Sequence, residues 1–195
     1  AVATDPKFRN QGLSTGLLEF TAGYLSAKGF QALVLVPGNE DLFRFYQKRG
    51  YVPFFYHQVI SLAPGATVAG KMARANGEEY GSVRESLLQH RSHLTYPISL
   101  LEYQKSLCLQ TGGDLVAFTD CEGRFGCAAL EYVAEGRMLL KELLWPGDLQ
   151  EAIGILQPHF PAQTYVLRIP ASQPESAHAF GMYRPLDNQL PSGSS

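Results

Sequence analysis

Arg9, Asn10, Gln11, Gly12, Leu13 and Ser14 set a cation, then a glycine, then a small hydroxyl side chain ahead of an apolar helical pattern. The chemistry such a stretch can do is to hold an anion. A helix that starts here leaves its first amides without partners inside the helix. Those amides and the helix dipole favour negative charge. Gly12 removes a side chain where a phosphate would approach the backbone, Ser14 is small for the same purpose, and Arg9 can add a charge-assisted contact. A pyrophosphate would suit this loop. An ordinary helix start beside a surface arginine has the same spacing, and the segment is neither G-x-G-x-x-G nor a P-loop.

The elements around the loop form an alternating series. "AVAT" reads as a short strand ended by Asp5-Pro6, so the text opens as though inside a structure, as a fragment or a numbering effect would. Leu13, Leu17, Phe20 and Tyr24 recur with the period of an amphipathic helix, which Lys28-Gly29 closes. "QALVLVP" is a continuous apolar run, typical of a strand covered on both faces. Asn39 can cap a helix over 40–49 that Gly50 ends, and "YVPFFYHQVISL" supplies one or two strands. Strand, helix, strand, helix, strand predicts an α/β layer.

"VATDPKFRNQGLS" resembles the acetyl-CoA-binding motif of the GNAT N-acetyltransferases, Gln/Arg-x-x-Gly-x-Gly/Ala after a strand. "NEDLFRFYQKRGY" is similar to the family's second signature. Asn39, Tyr46, Lys48 and Gly50 match outright, and Leu42, Phe45 and Tyr51 match in character. Ser14 departs from the family's Gly or Ala. The resemblance covers 1–62, about the second half of such a domain, and implies an α+β fold with a mixed central sheet flanked by helices. It implies acetyl transfer from acetyl-CoA to a primary amine of a small molecule or peptide, without metal. The backbone of Val2, Ala3 and Thr4 would pair with the pantetheine arm, and amides from Asn10 to Ser14 beside Arg9 would hold the pyrophosphate. Tyr46 would protonate the departing thiolate, or else pack under the sheet. Asn39 would contact the cofactor as well as cap its helix, or cap alone. Asp5 is near enough to be considered as a base, but its place before Pro6 suits a turn. A module that binds CoA, or a wholly degenerate one, with a role in regulation or assembly, is the alternative.

Residues 63–77, "APGATVAGKMARANG" with its small and polar side chains, read as a linker. Beyond it come helices in "SVRESLLQHRSHL", in "SLLEYQKSLCLQ" from Ser99, and from Asp148 to Leu156. Strands are expected in "DLVAFTD", "FGCAALEYV", "RMLLKELLW", "TYVLRIP" and Gly181 to Leu186, and 191–195 as a frayed tail. The succession in 78–190 echoes the first part but carries no second basic glycine loop, and Asp148 would repel a phosphate. It reads as a degenerate GNAT-like copy in tandem, completing the acceptor site or forming a homodimer surface. Glu131 and Glu142 are solvent-facing strand positions or buried carboxylates, and His90 and His93 share an exposed helix face with no metal-ligand spacing.

Composition limits the rest. With 45% hydrophobic and 17% charged residues among 195, the chain can bury a core. A net charge of −2 argues against nucleic acid, and no apolar run reaches the roughly 18 residues of a membrane span. Cys108, Cys121 and Cys127 read as buried free thiols in a reducing cytoplasm.

Overall fold

The computed structural model describes residues 3–91, 93–171 and 178–186. It divides into two compact units, one of residues 1–56 with 173–195 and one of 57–172. The expected division at 62 and 78 is not the one seen.

In the first unit a 3-10 turn, Pro6–Phe8, leads to helix α1, Leu13–Ala27. Strand β1 is Ala32–Leu35, helix α2 is Glu40–Gln47, and β2, Val52–Leu62, is one strand whose residues 52–56 lie in this unit. The last strand among the described residues, His178–Pro185, lies antiparallel to β1 with Ala32 opposite Pro185 and Leu35 opposite Met182. Where the sequence predicts a strand at the start, Ala3 and Thr4 are irregular, and Ala1 and Val2 fall outside the described residues, as does the tail at 191–195. The stripe Leu13, Leu17, Phe20 and Tyr24 is helical as expected, but it faces outward. These side chains are 54%, 53%, 70% and 54% exposed, and α1 buries Leu18 and Ala22 instead.

The second unit is a mixed sheet with helices on both faces. Strand β3, Gly70–Arg74, pairs antiparallel with β4, Asp114–Asp120, and so falls inside the segment expected to be a linker. Helices α3, Gly77–Leu88, and α4, Ile98–Gln110, come between them. Strands β5, Phe125–Ala134, and β6, Arg137–Leu144, continue the antiparallel order. Helix α5, Leu149–Leu156, then crosses over to β7, Thr164–Pro170, which runs parallel to β6. Residues 57–62 of β2 flank β7 antiparallel. Strand β8 is the one at 178–185 described above.

The two faces of this sheet bury different partners. Val116, Phe118, Leu130, Met138 and Leu140 pack with Ile153 and Leu156 of α5. Leu115, Cys127 and Ala129 pack with Tyr80 and Leu88 of α3 and with Leu101 and Cys108 of α4. Strands covered on both faces read as continuous apolar runs, as "LVAF" and "YVL" do. Gly113 is required by close approach, since a Cβ there would sit 1.9 Å from the Leu130 carbonyl oxygen.

Polar groups expected at the surface are drawn inward. Glu131 is 15% exposed at its side chain and paired with Lys141 Nζ at 2.7 Å. Glu142 accepts from Tyr80 Oη at 2.7 Å and from Arg84 Nε at 3.0 and 3.1 Å. Helix α3 ends before His90, so the expected helix face of His90 and His93 does not form. His93 Nε2 instead lies 2.8 Å from Glu85. Helix α4 is preceded by Pro97 as its cap, with Ser99 already inside it.

Of the three thiols, Cys108 and Cys127 are buried and Cys121 is exposed. Burial pushes Cys108 up and Cys127 up to about 12, so neither offers thiolate near neutral pH. A thiol reagent at pH 8 should therefore modify one cysteine in the native protein and all three in denaturant. Rapid native modification of more than one would show that this core opens readily.

Candidate functional site

The loop ahead of α1 has the backbone an anion site needs. Asn10 and Gly12 both adopt left-handed conformations, with φ of 63° and 75°. Asparagine is among the few side chains that tolerate that region, and glycine does so freely. Gly12 stands at the cap position of α1, no side chain caps the helix, and the first turn carries no acid. The Gly16 amide is bonded to the Gly12 carbonyl at 2.9 Å, which leaves the amides of Leu13 to Thr15 ahead of the intrahelical ladder. A Cβ placed on Gly12 would meet nothing within 4 Å, so the space over the loop is open. Helix α2 contrasts with it, because Asn39 Oδ1 accepts from the Leu42 amide at 2.9 Å.

A groove of about 230 Å³ adjoins the loop, lined by Ala3, Thr4, Asp5, Phe8, Leu13, Ser14 and Leu17. It brings together Ala3, Thr4, Leu13 and Ser14 of the expected cofactor residues. Arg9 donates through Nε to the Thr4 carbonyl at 3.3 Å, tying the loop back to the segment before it. Asp5 Oδ1 accepts from the Lys7 amide at 2.9 Å, the turn role its place before Pro6 suggests. Val2 lies outside the described residues.

Tyr46 lies on α2, its ring edge-on to Phe45 at 5.2 Å and to Tyr51 at 5.4 Å. Tyr46 is half-buried, and its hydroxyl has no hydrogen-bond partner among the described residues. Arg49, which sequence reasoning passed over, ties this helix to the loop helix. Its Nε donates to Thr15 Oγ1 at 3.1 Å and its Nη1 to the Phe45 carbonyl at 2.6 Å, with the guanidinium 3.5 Å from the Phe45 ring centre. Its spacing, one helical turn after Phe45, was the one available signal. The other side of α1 is held by Glu19, which accepts from both terminal nitrogens of Arg184 at 2.9 Å. That bidentate contact holds the Glu19 carboxyl below its usual range.

The residues fit the phosphate end of an acyl-CoA. They offer unspent amides, an open approach over Gly12 and a nearby cation, with no acid in the first helical turn. Among the described residues, no group of His, Cys, Asp and Glu could hold a metal ion. No described helix is long and apolar enough to cross a membrane.

Residues 1–51 match the family model described as Acetyltransferase (GNAT) family. No curated protein matches the sequence. Among solved structures, a probable N-acyltransferase from Enterococcus faecalis V583 is similar at a TM-score of 0.69 and 15% identity, covering 95% of this chain and 53% of that one. GCN5-related N-acetyltransferases are similar too. The one from Anabaena variabilis ATCC 29413 has a TM-score of 0.70 and 14% identity, covering 95% and 54% of the two chains. The one from Kribbella flavida has 0.63 and 17%, covering 96% and 52%. The chain thus spans about half the length of these three solved structures. At these identities the likeness speaks for fold, and the chain is GNAT-like in fold over nearly all its length while its residues 1–51 match the sequence model of the GNAT acetyltransferase family.

Proposed function

We propose that this chain carries the cofactor-binding part of an N-acetyltransferase that moves an acetyl group from acetyl-CoA to a primary amine of a small molecule or peptide. The observation that supports this most is the uncapped start of α1, with left-handed Asn10 and Gly12 and open space over Gly12. Bound acetyl-CoA would supply an acyl group activated as a thioester. Amides from Asn10 to Ser14 and the Arg9 guanidinium would hold the phosphates, and the backbone at Val2, Ala3 and Thr4 would align the arm. Asn39 caps α2 and would contact the arm from that position. Tyr46 Oη would donate a proton to the leaving sulfur, and an amine nucleophile must lose one to water or to a base.

The second unit, in this proposal, is a GNAT-like copy without cofactor. Its crossover β6–α5–β7 has the arrangement of strand, helix and parallel strand, but acids close the start of α5. Asp148 Oδ1 accepts from the Gln150 amide at 2.8 Å, and Glu151 is paired with Arg124 at 3.2 Å. An anion would meet carboxylates there.

Titration of the 195-residue chain with acetyl-CoA tests the reading by calorimetry. Saturable binding is expected, and none at millimolar cofactor would overturn it. Gly12→Val should weaken binding at least tenfold, about 1.4 kcal/mol, whereas Gly12→Asn, which tolerates positive φ, separates backbone strain from blockage. Arg9→Ala should cost less, and its effect should shrink with added salt. A CoA-binding module without catalysis is the second reading. It is favoured by Asp5, the one carboxylate among the described residues lining the groove, being engaged by the Lys7 amide. Binding without thiol release across a panel of amines would favour it.

A further inference from the structure

One guanidinium joins the helix that carries Tyr46 to the helix that follows the anion loop. None of the side chains of α2 is fully buried, so packing alone holds this helix lightly. A regular last turn would bond the Arg49 amide to the Phe45 carbonyl, four residues back. That amide reaches the Tyr46 carbonyl instead, at 2.9 Å, and the Arg49 side chain takes its place, with Nη1 donating to the Phe45 carbonyl at 2.6 Å. Arginine is well suited to close the last carbonyls of a helix in this way. Arg49 thus grips both the carbonyl before Tyr46 and the carbonyl after it.

The rest of the fork points to the other helix. Nε, at 3.1 Å, and Nη2 donate to Thr15 Oγ1 in the first turn of α1. The Thr15 amide is among those ahead of the α1 ladder, beside Ser14 of the anion loop. Every nitrogen of Arg49 therefore has an acceptor within the protein, and the guanidinium also stacks on the Phe45 ring. Arg49 has no ion pair among the described residues, and Glu19, one turn further along α1, is taken up by Arg184. A fork committed to Thr15 and Phe45 works as a tie between helices and not as a phosphate ligand.

We infer that Arg49 is a positioning residue, which fixes Tyr46 relative to the anion loop and acts on the reaction through Tyr46. Its effect on turnover rests on the acetyl-transfer reading, whereas its hold on Tyr46 does not. Lysine is no substitute, because an ammonium is a point charge without the planar fork that reaches both helices. Misplacing a reacting group by about 1 Å can cost about 10²-fold in rate, so a looser α2 is expected to show in kcat.

Two measurements on the full chain test this, one of them without turnover. Ring-labelled tyrosine gives magnetic-resonance signals from the ten tyrosines, and Tyr46→Phe identifies the one from Tyr46. Arg49→Met, Arg49→Lys and Thr15→Val should each move that signal, while those of the buried Tyr80 and Tyr165 stay in place. Thr15→Val is the most telling, since the Thr15 hydroxyl meets α2 through Arg49. A Tyr46 signal unmoved by Arg49→Met or by Thr15→Val would overturn the inference. In thiol-release kinetics with acetyl-CoA and a reactive amine, Arg49→Lys should lower kcat about tenfold and leave KM for acetyl-CoA near the parent value. In the Tyr46→Phe background the same change should cost less than about twofold, because the acid it misplaces is gone. Equal losses in both backgrounds would show a general structural role and overturn the inference too. A parent chain without turnover would refute the transfer reading, and the Tyr46 signal would still decide for or against Arg49.

Discussion

Tyr46→Phe is expected to lower kcat for acetyl transfer by about 10²-fold, the usual scale for a positioned acid. KM for acetyl-CoA should stay nearly constant, because the hydroxyl acts chiefly in the transition state. The surroundings make this a clean substitution. The ring contacts with Phe45 and Tyr51 survive in phenylalanine, and the hydroxyl has no partner among the described residues to be left unpaired. Stability should therefore be almost unchanged. Steady-state kinetics against a reactive amine, with a melting curve as control, check both halves. Full activity in the variant would show that water supplies the proton and that Tyr46 serves packing alone.

Arg84→Met should destabilise the second unit by about 3 kcal/mol, the lower end of the range for breaking a buried pair. The guanidinium side chain is 5% exposed. It donates to both oxygens of Glu142 and, at 2.9 Å, to the Leu94 carbonyl and to Glu85, and it lies 4.6 Å from the Tyr96 ring centre. Methionine fills the volume but leaves Glu142 with Tyr80 as its remaining hydrogen-bond donor among the described residues. Burial first, and then Glu142, hold the Tyr80 phenol well above its usual range, so it keeps its proton and donates. The lower figure is the apt one because Glu142 is still 26% exposed and water can compensate in part. Urea unfolding should show the loss, and adding Glu142→Gln should recover a large share by removing the unpaired charge. A loss within about 0.5 kcal/mol, usual for surface positions, would mean that the network contributes little.

The sequence disclosed the elements more fully than their neighbours. Strands at 114–120 and 164–170 agree to the residue, because each is built on an unbroken apolar run, 115–118 and 165–167, that the sheet buries. The left-handed glycines Gly29 and Gly50 follow the helices they were expected to end. Periodicity located the stripe of α1 but not which side is buried, since an apolar stripe looks alike whether covered or bare. Strand β3 was hidden because "GKMAR" is an edge strand with little apolar alternation. The pairing of β8 with β1, separated by more than 140 residues of sequence, leaves no local trace. Arg84 and Glu142 look like solvent-facing charges until the fold brings them together. At the candidate site, the loop was readable because glycine and asparagine mark left-handed backbone. Arg49 was not, since its importance depends on Thr15 across the fold.

The outward stripe of α1 makes this helix a point of thermodynamic linkage. Leu13, Leu17, Phe20 and Tyr24 remain more than half exposed in the folded chain, so folding has not used the free energy of covering them. Any surface that covers the stripe gains roughly 25 cal/mol for each Å² of apolar area removed from water. A ligand that requires the folded helix also raises the stability of the fold, by an amount that grows with its concentration. Since α1 begins at Gly12, such a contact would stabilise the very turn whose amides face the anion loop. Stability of the loop and occupancy of the stripe would then rise together, with no change in the contacts of either.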